Sequence, residues 1–261
     1  MIPFAALSRR NCSRTGWLVG MAAEAFRNLR AALSLLGPEA DRKIFLFTSA
    51  LPKEGKSFTR VNYALALAQQ GHRVLLIDGD LRYPNLHKVF RPASTHAEAH
   101  DSLGIVDYLV AKADLAQAAR PVSVSEIDFI GNNIADAGNS HTATGGQLNV
   151  LTGGHCAPNP AEILSGPRFA ELLAEASRLY DRVVVDSAPV LAVSDTLLMT
   201  PFIQTVCMVV RARKTPLNAA RRAVELLASG ETSPAFRLLT RTRVTRNFGS
   251  DRAGVQRRFD G

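Results

Sequence analysis

Residues Ser49 to Phe58 read SALPKEGKSF and follow the apolar run KIFLF. Their order suits a loop that grips phosphate. Successive backbone N–H groups converge on the anion, a lysine reaches its outer oxygens, and a hydroxyl faces a bound Mg²⁺. Gly55, Lys56 and Ser57 fill those places, and Ala50, Pro52, Lys53, Glu54 and Phe58 complete the candidate nucleotide-binding stretch. Loops of this kind usually open with glycine, where this chain has Ala50. A methyl group is a small intrusion, and Gly55 remains where the backbone must come closest to the phosphates. An accidental Gly-Lys-Ser is the plainer alternative, but the strand-to-helix setting argues against accident.

Two more acidic signals lie farther along. LLIDGDLRYP sets Asp78 and Asp80 two residues apart at the carboxyl end of an apolar run, where ligands bind in open α/β sheets. Alternation along a strand gives both carboxylates one direction. One can take a proton from an attacking hydroxyl while the other holds a metal or its waters. VVVDSAP ends another run in Asp186, a position from which a carboxylate orients a magnesium water. Each acid alone also fits a solvated turn. Loop, paired acids and single acid each close an apolar strand in turn, and that order carries the nucleotide-binding reading.

These residues need a scaffold that brings strand ends together. KIFLFT and RVLLIDGD read as buried strands around the helix KSFTRVNYALALAQQG, which Gly71 closes, giving a βαβ unit. LNVLTGG, RVVVDSAP and TVCMVVRA predict three further strands. EAFRNLRAALSLLG predicts an amphipathic helix with Phe26, Leu29, Leu33 and Leu36 on one stripe, ended by Gly37-Pro38, and GIVDYLVAKADLAQAA predicts another. In NPAEILSGPRFAELLAEASRLY, Asn159 caps a helix, Pro160 suits its first turn, Glu162 completes a capping box, and Gly166-Pro167 breaks or kinks it. Thr215-Pro216 opens a last helix, PLNAARRAVELLASG. Strands alternating with helices predict an α/β fold with a doubly wound, mainly parallel sheet.

The bulk composition sets limits. With 261 residues, 46% of them apolar, the chain holds one large core. No apolar run approaches the ~20 residues that span a bilayer, and GWLVGMAA is too short for a signal segment. Cys12, Cys156 and Cys207 lie far apart with no metal-ligand spacing, which fits a reducing cytoplasm. Of the net charge of +8, residues 237–261 carry +5 and residues 1–20 carry +3, so the middle is neutral and offers no surface for nucleic acid. The reading is a basic arm over 1–20, a nucleotide-binding domain over 21–230 with a loop or insertion at 121–146, and an Arg-rich disordered tail over 231–261. Basic ends also suit an anionic lipid, nucleic acid or an acidic partner, with flexible solvated tails the blander reading, and translation starting at Met21 is an alternative for the arm.

The three motifs, in this order, resemble the bacterial tyrosine kinases of the capsule and exopolysaccharide family, with their Walker A, A′ and B elements. The likeness runs from about Glu24 to about Leu227 and implies a phosphate-loop NTPase of the deviant-Walker, Min/Par-like class. It implies ATP and Mg²⁺ as cofactors. Lys56 would then bind phosphates, Ser57, Asp80 and Asp186 would manage Mg²⁺, and Asp78 would be the base for a tyrosine hydroxyl. Arg82 falls on the arginine of the family's D-x-D-x-R pattern, where it orients acidic neighbours or phosphate. EAFRNLR resembles the family's E-x2-R-x2-R helix, which implies that Glu24, Arg27 and Arg30 join subunits into a homo-oligomeric ring; a surface ion pair is the blander reading. The resemblance also implies a membrane-anchored chain-length or activator partner, tyrosine-bearing protein substrates and a cytoplasmic location at the inner face of the plasma membrane.

The chain departs from the family in its tail. The tyrosines are Tyr63, Tyr83, Tyr108 and Tyr180, so no terminal tyrosine cluster is present. After Gly230 the family's next apolar strand is not recognisable, which reads as disorder or a change of reading frame and predicts a weaker adenine pocket. Two other functions fit the motifs: a Min/Par-type ATPase switch, against which Leu51 stands where that class carries a lysine, and a nucleotide-binding scaffold of a polysaccharide export complex.

Overall fold

Runs of β-branched and aliphatic residues lose little by becoming strands buried on both faces, and they form the centre of this molecule. The computed structural model describes residues 3–4, 24–35, 42–90, 103–122, 146–155, 157–229 and 235–241. Its strands are β1 (Pro3–Phe4), β2 (Ile44–Ser49), β3 (Arg73–Ile77), β4 (Arg120–Pro121), β5 (Gln147–Leu151), β6 (Arg182–Asp186), β7 (Thr205–Arg211) and β8 (Ala235–Arg241). They make one eight-stranded sheet in the order β1-β8-β7-β2-β6-β3-β5-β4. Every neighbouring pair is parallel except β4 with β5. The doubly wound, mainly parallel α/β sheet expected from the sequence is the one observed.

The pleat divides the core. Phe45, Phe47, Val74, Leu76, Val184, Cys207 and Val209 point to one face, where α1 (24–34) adds Phe26, Leu29 and Leu33 and α2 (Lys56–Ala68) adds Val61, Tyr63, Ala64 and Leu67. Leu36, the fourth residue of the α1 stripe, lies outside the described residues. Leu46, Leu75, Ile77, Val183, Val185, Val206 and Met208 point to the other face. The chain supplies that face through helices that follow α3 (Leu86–Val89): α4 (Ile105–Leu109), α5 (Leu115–Ala118), α6 (Pro160–Ser165), α7 (Pro167–Leu179), α8 (Asp195–Met199) and α9 (Leu217–Ala228).

Local chemistry corrects several expectations. GIVDYLVAKADLAQAA is two short helices, because Ala111 adopts φ 59° and the Lys112 N–H turns back to the Asp107 carbonyl at 2.8 Å. Asp114 then starts α5, its N–H donating to Gln117 Oε1 at 3.0 Å. Asn159 precedes α6 and Pro160 opens it as expected, but the capping box does not form: Asn159 Nδ2 donates to the Glu162 carboxylate at 3.1 Å instead. Gly166 is extended before Pro167 and separates α6 from α7.

The tail differs most. A strand was not expected after Gly230, yet β8 pairs in parallel with β7 from Thr205↔Ala235 to Arg211↔Arg241. Without it β7 would be a sheet edge with a row of unpaired backbone groups. The short β1 extends the order on the far side of β8, through Pro3↔Thr240 and Phe4↔Arg241, so the arm and the tail each contribute backbone to the sheet. Most of the arm, the segment 123–145 and the tail beyond 241 lie outside the described residues.

Gly79 shows how tightly the strand ends meet. A Cβ there would lie 2.4 Å from the Asp186 carbonyl oxygen, a backbone atom that cannot swing aside. Gly79→Ala is therefore expected to force the ends of β3 and β6 apart and destabilise the protein by about 1–3 kcal/mol in urea unfolding. A variant as stable as the parent would show that the two ends are not in contact.

Candidate active site

The phosphate-binding loop is the turn between β2 and α2. Gly55 sits before α2 at φ 102°, a left-handed conformation open to glycine without strain, and the non-glycine Lys53 shares that region at φ 65°. Ala50 is fully buried and its methyl packs in the core cluster under α6 and α7. Glu54 closes the loop from behind. Its carboxylate accepts the Leu51 N–H at 3.0 Å and the Thr215 hydroxyl, and Thr215 in turn accepts the Arg211 N–H at 2.9 Å. The loop is thus pinned to the end of β7. Pro52 and Lys53 are exposed, while Phe58 turns to Phe26, ring centroids 5.9 Å apart.

Lys56 measures the convergence of the acids. Its Nζ donates to the Ser187 carbonyl and lies 3.6 Å from Asp80 Oδ2 and 3.8 Å from Asp186 Oδ1. The ends of β2, β3 and β6 therefore deliver loop lysine, paired acids and single acid to one place. Asp78 is wholly buried, and its Oδ2 accepts the N–H groups of Asn85 at 2.8 Å and Leu86 at 2.9 Å, which leaves Oδ1 with no hydrogen bond. Asp80 Oδ1 accepts the Tyr83 N–H at 3.2 Å. Arg82 makes two bonds to Asp195, at 2.7 and 2.9 Å, and so ties the loop after β3 to α8.

Three residues at the site carry no motif. Arg60, one turn beyond Lys56 on α2, has no exposed side-chain surface and places Nη1 2.6 Å from Asp186 Oδ2. Its Nη2 donates to Asn85 Oδ1, and Asn85 Nδ2 donates to Ser57 Oγ at 3.3 Å. Asp195 is the third. The signal for Arg60 was present in the sequence: Lys56, Arg60, Tyr63 and Leu67 share one face of α2, and a cation on a buried stripe demands a partner.

Burial raises the Asp78 carboxyl to about 7; the nearby Asp186 charge pushes the same way, against Arg60 and the two backbone amides. Asp80 is also raised, first by burial, with Lys56 opposing. Both oxygens of Asp186 lack a directed hydrogen bond, despite their contacts with Lys56 and Arg60. Buried carboxylate oxygens of this kind, with the Ser57 hydroxyl, are hard donors that fit Mg²⁺. Among the described residues no three acidic, His or Cys side chains form a metal cage.

Of the oligomer candidates, Glu24 and Arg27 form an exposed ion pair at 2.6 Å. Arg30 turns inward, its Nη1 donating to the Ala66 carbonyl of α2 at 2.9 Å.

The chain is similar to proteins of known kind. It is 34% identical over 206 residues to the tyrosine-protein kinase YwqD of Bacillus subtilis, covering 79% of this chain and 75% of that protein. It is 32% identical to the tyrosine-protein kinase wzc of Salmonella typhimurium over 82% of this chain, which spans only 24% of that longer relative. Among solved structures, the kinase domain of the Escherichia coli tyrosine kinase ETK superposes with a TM-score of 0.70 at 26% identity, covering 96% of this chain and 93% of that one. The septum site-determining protein MinD of Pyrococcus horikoshii, complexed with Mg-ADP, shares the fold at a TM-score of 0.53 and 17% identity, covering 75% and 68%. No family model matches.

The raised Asp78 value has a consequence for stability. Between an ordinary 3.8 and about 7 the native state holds more protons than the unfolded chain, so this carboxyl makes the protein less stable as pH climbs through that interval. Asp78→Asn, which keeps an oxygen for the two amides and removes the charge, is expected to melt about 3 °C higher than the parent at pH 8 without nucleotide. The gap should narrow at pH 5, where the native Asp78 carboxyl is largely neutral and only part of the interval has been crossed. A gap of equal size at both pH values would contradict the buried charge.

Proposed function

The chain belongs to the bacterial tyrosine kinases of the capsule and exopolysaccharide type, and from that membership we propose that it transfers phosphate from ATP with Mg²⁺ and regulates the polymerisation and export of such a polysaccharide. The observation that carries the chemistry is the position of Lys56 Nζ, within 4.0 Å of both Asp80 and Asp186 at the mouth of the phosphate loop.

Each residue then has a task. The amides around Gly55 hold the phosphates, and Lys56 leaves its acidic partners to meet the β and γ oxygens. Ser57, Asp80 and Asp186 would hold Mg²⁺, which when bound supplies positive charge to the phosphate oxygens. Asp78 is the base. Its Oδ2 is occupied by two amides, so Oδ1 is the atom that takes the proton of the incoming phenol. As that O–H breaks, the phenolic oxygen bonds to the γ-phosphorus, the bond to the β,γ-bridging oxygen breaks, and ADP leaves. A carboxyl raised by burial to about 7 is a better match to a phenol near 10 than an ordinary aspartate. Arg82 and Asp195 fix the loop that carries Asp80.

The setting follows the same reading. Among the described residues no helix is long and apolar enough to cross a membrane. We assign the protein to the cytoplasmic face, working with a membrane-anchored chain-length partner and assembling with copies of itself through the exposed Glu24 and Arg27. Leu51, packed against the core, offers no lysine for the cross-dimer contact of a Min/Par-type switch.

The test is to incubate the protein with γ-labelled ATP, Mg²⁺ and the cytoplasmic tail of its chain-length partner and to probe for phosphotyrosine. Label on tyrosine is expected, falling at least ~100-fold in Lys56→Ala and Asp78→Asn. Release of phosphate without tyrosine label would make the protein an ATPase, and neither product would leave it a scaffold.

A further inference from the structure

Arg60 is a cation at this site that no phosphate-binding motif explains. It is fully buried on α2, and a buried guanidinium persists only where fixed partners compensate it. The partners are specific: Asp186 Oδ2 on one side and Asn85 Oδ1 on the other. Asn85 is itself bonded to Ser57 Oγ, and its backbone N–H holds Asp78. Arg60 thus touches Asp186 directly and, through Asn85, is linked to Ser57 and Asp78.

The acid oxygens that would face a metal are covered by side-chain cations. Lys56 lies against Asp80 Oδ2 and Asp186 Oδ1, and Arg60 lies against Asp186 Oδ2. The two covers are not equivalent. Lys56 stands at the first position of α2, beside the loop, and can turn to phosphates when they arrive. Arg60 lies one turn deeper with no exposed surface and cannot. Phosphates that drew Lys56 away would free Asp80 and one oxygen of Asp186, while Arg60 would keep the other.

We propose that Arg60 is a positioning residue that acts as a built-in counter-cation to Asp186, holding one of its oxygens permanently so that a divalent ion is retained only when nucleotide phosphates complete its coordination. The inference rests on the kinase reading above. It predicts an ordered cycle in which metal enters with the nucleotide and leaves with it.

Mn²⁺ retained by the protein in equilibrium dialysis, with and without saturating ADP on both sides of the membrane, tests this. The parent protein should take up Mn²⁺ with ADP and show at least tenfold weaker uptake without it. Arg60→Met and Arg60→Gln remove the charge, the second keeping a polar group for Asn85; either one, if folded by circular dichroism, should gain at least tenfold in nucleotide-free Mn²⁺ affinity. Arg60→Lys restores a cation and should return to the parent's behaviour, which a purely packing role would not require. Neutral variants within twofold of the parent, or weaker, would overturn the proposal while leaving the kinase reading intact. A parent that takes up no Mn²⁺ even with ADP would overturn both.

Discussion

Three aspartates held out of water beside two cations are the constraint around which this molecule is arranged. Asp78, Asp80 and Asp186 are all buried, and a carboxylate in that position is costly unless a positive charge or directed donors meet it. Lys56 and Arg60, one turn apart on the same helix, supply the charge, and the amides of Asn85 and Leu86 supply donors to Asp78. The compensation is incomplete, since three carboxylic acids face two cations and some of their oxygens stay without hydrogen bonds. That residue of unmet negative charge raises the Asp78 carboxyl and leaves carboxylate oxygens of the kind that suit a divalent ion.

The fold serves this arrangement through backbone proximity. β2 lies between β7 and β6, and β6 between β2 and β3, so the phosphate loop, Asp186 and the paired acids occupy consecutive positions along one sheet edge. Gly79 allows the ends of β3 and β6 to touch. Glu54 and Thr215 fasten the loop to β7 without involving the face that meets phosphate. Core packing on both faces, by α1 and α2 on one and α6, α7 and α9 on the other, holds the strands whose ends form this edge.

Much of this was legible before any coordinates. Strands such as VVVD and FLFT are so dense in β-branched and aromatic residues that only burial on both faces accommodates them, and the acids at their ends mark the binding edge. What escaped notice had physical reasons. β8 is hidden because Arg237 and Arg241 dilute its apolar pattern, and its existence depends on an unpaired edge of β7 that a linear reading does not contain. The break between α4 and α5 turns on one left-handed alanine, for which no residue type is diagnostic. Arg60 was visible as a charge on an apolar stripe, but its partner is 126 positions away on another strand. The Asn159 and Glu162 spacing fits a capping box equally well as the side-chain bond it makes.

In the proposed reaction lysine, serine and acids meet around one metal–triphosphate, and locating the metal tests that directly. Crystals grown with Mn²⁺ and a non-hydrolysable ATP analogue should give a single anomalous peak bounded by Ser57 Oγ, Asp80 and Asp186, with Lys56 Nζ moved from the Ser187 carbonyl to the phosphates. A peak remote from those three residues, or a Lys56 still bonded to Ser187 with nucleotide in place, would contradict it.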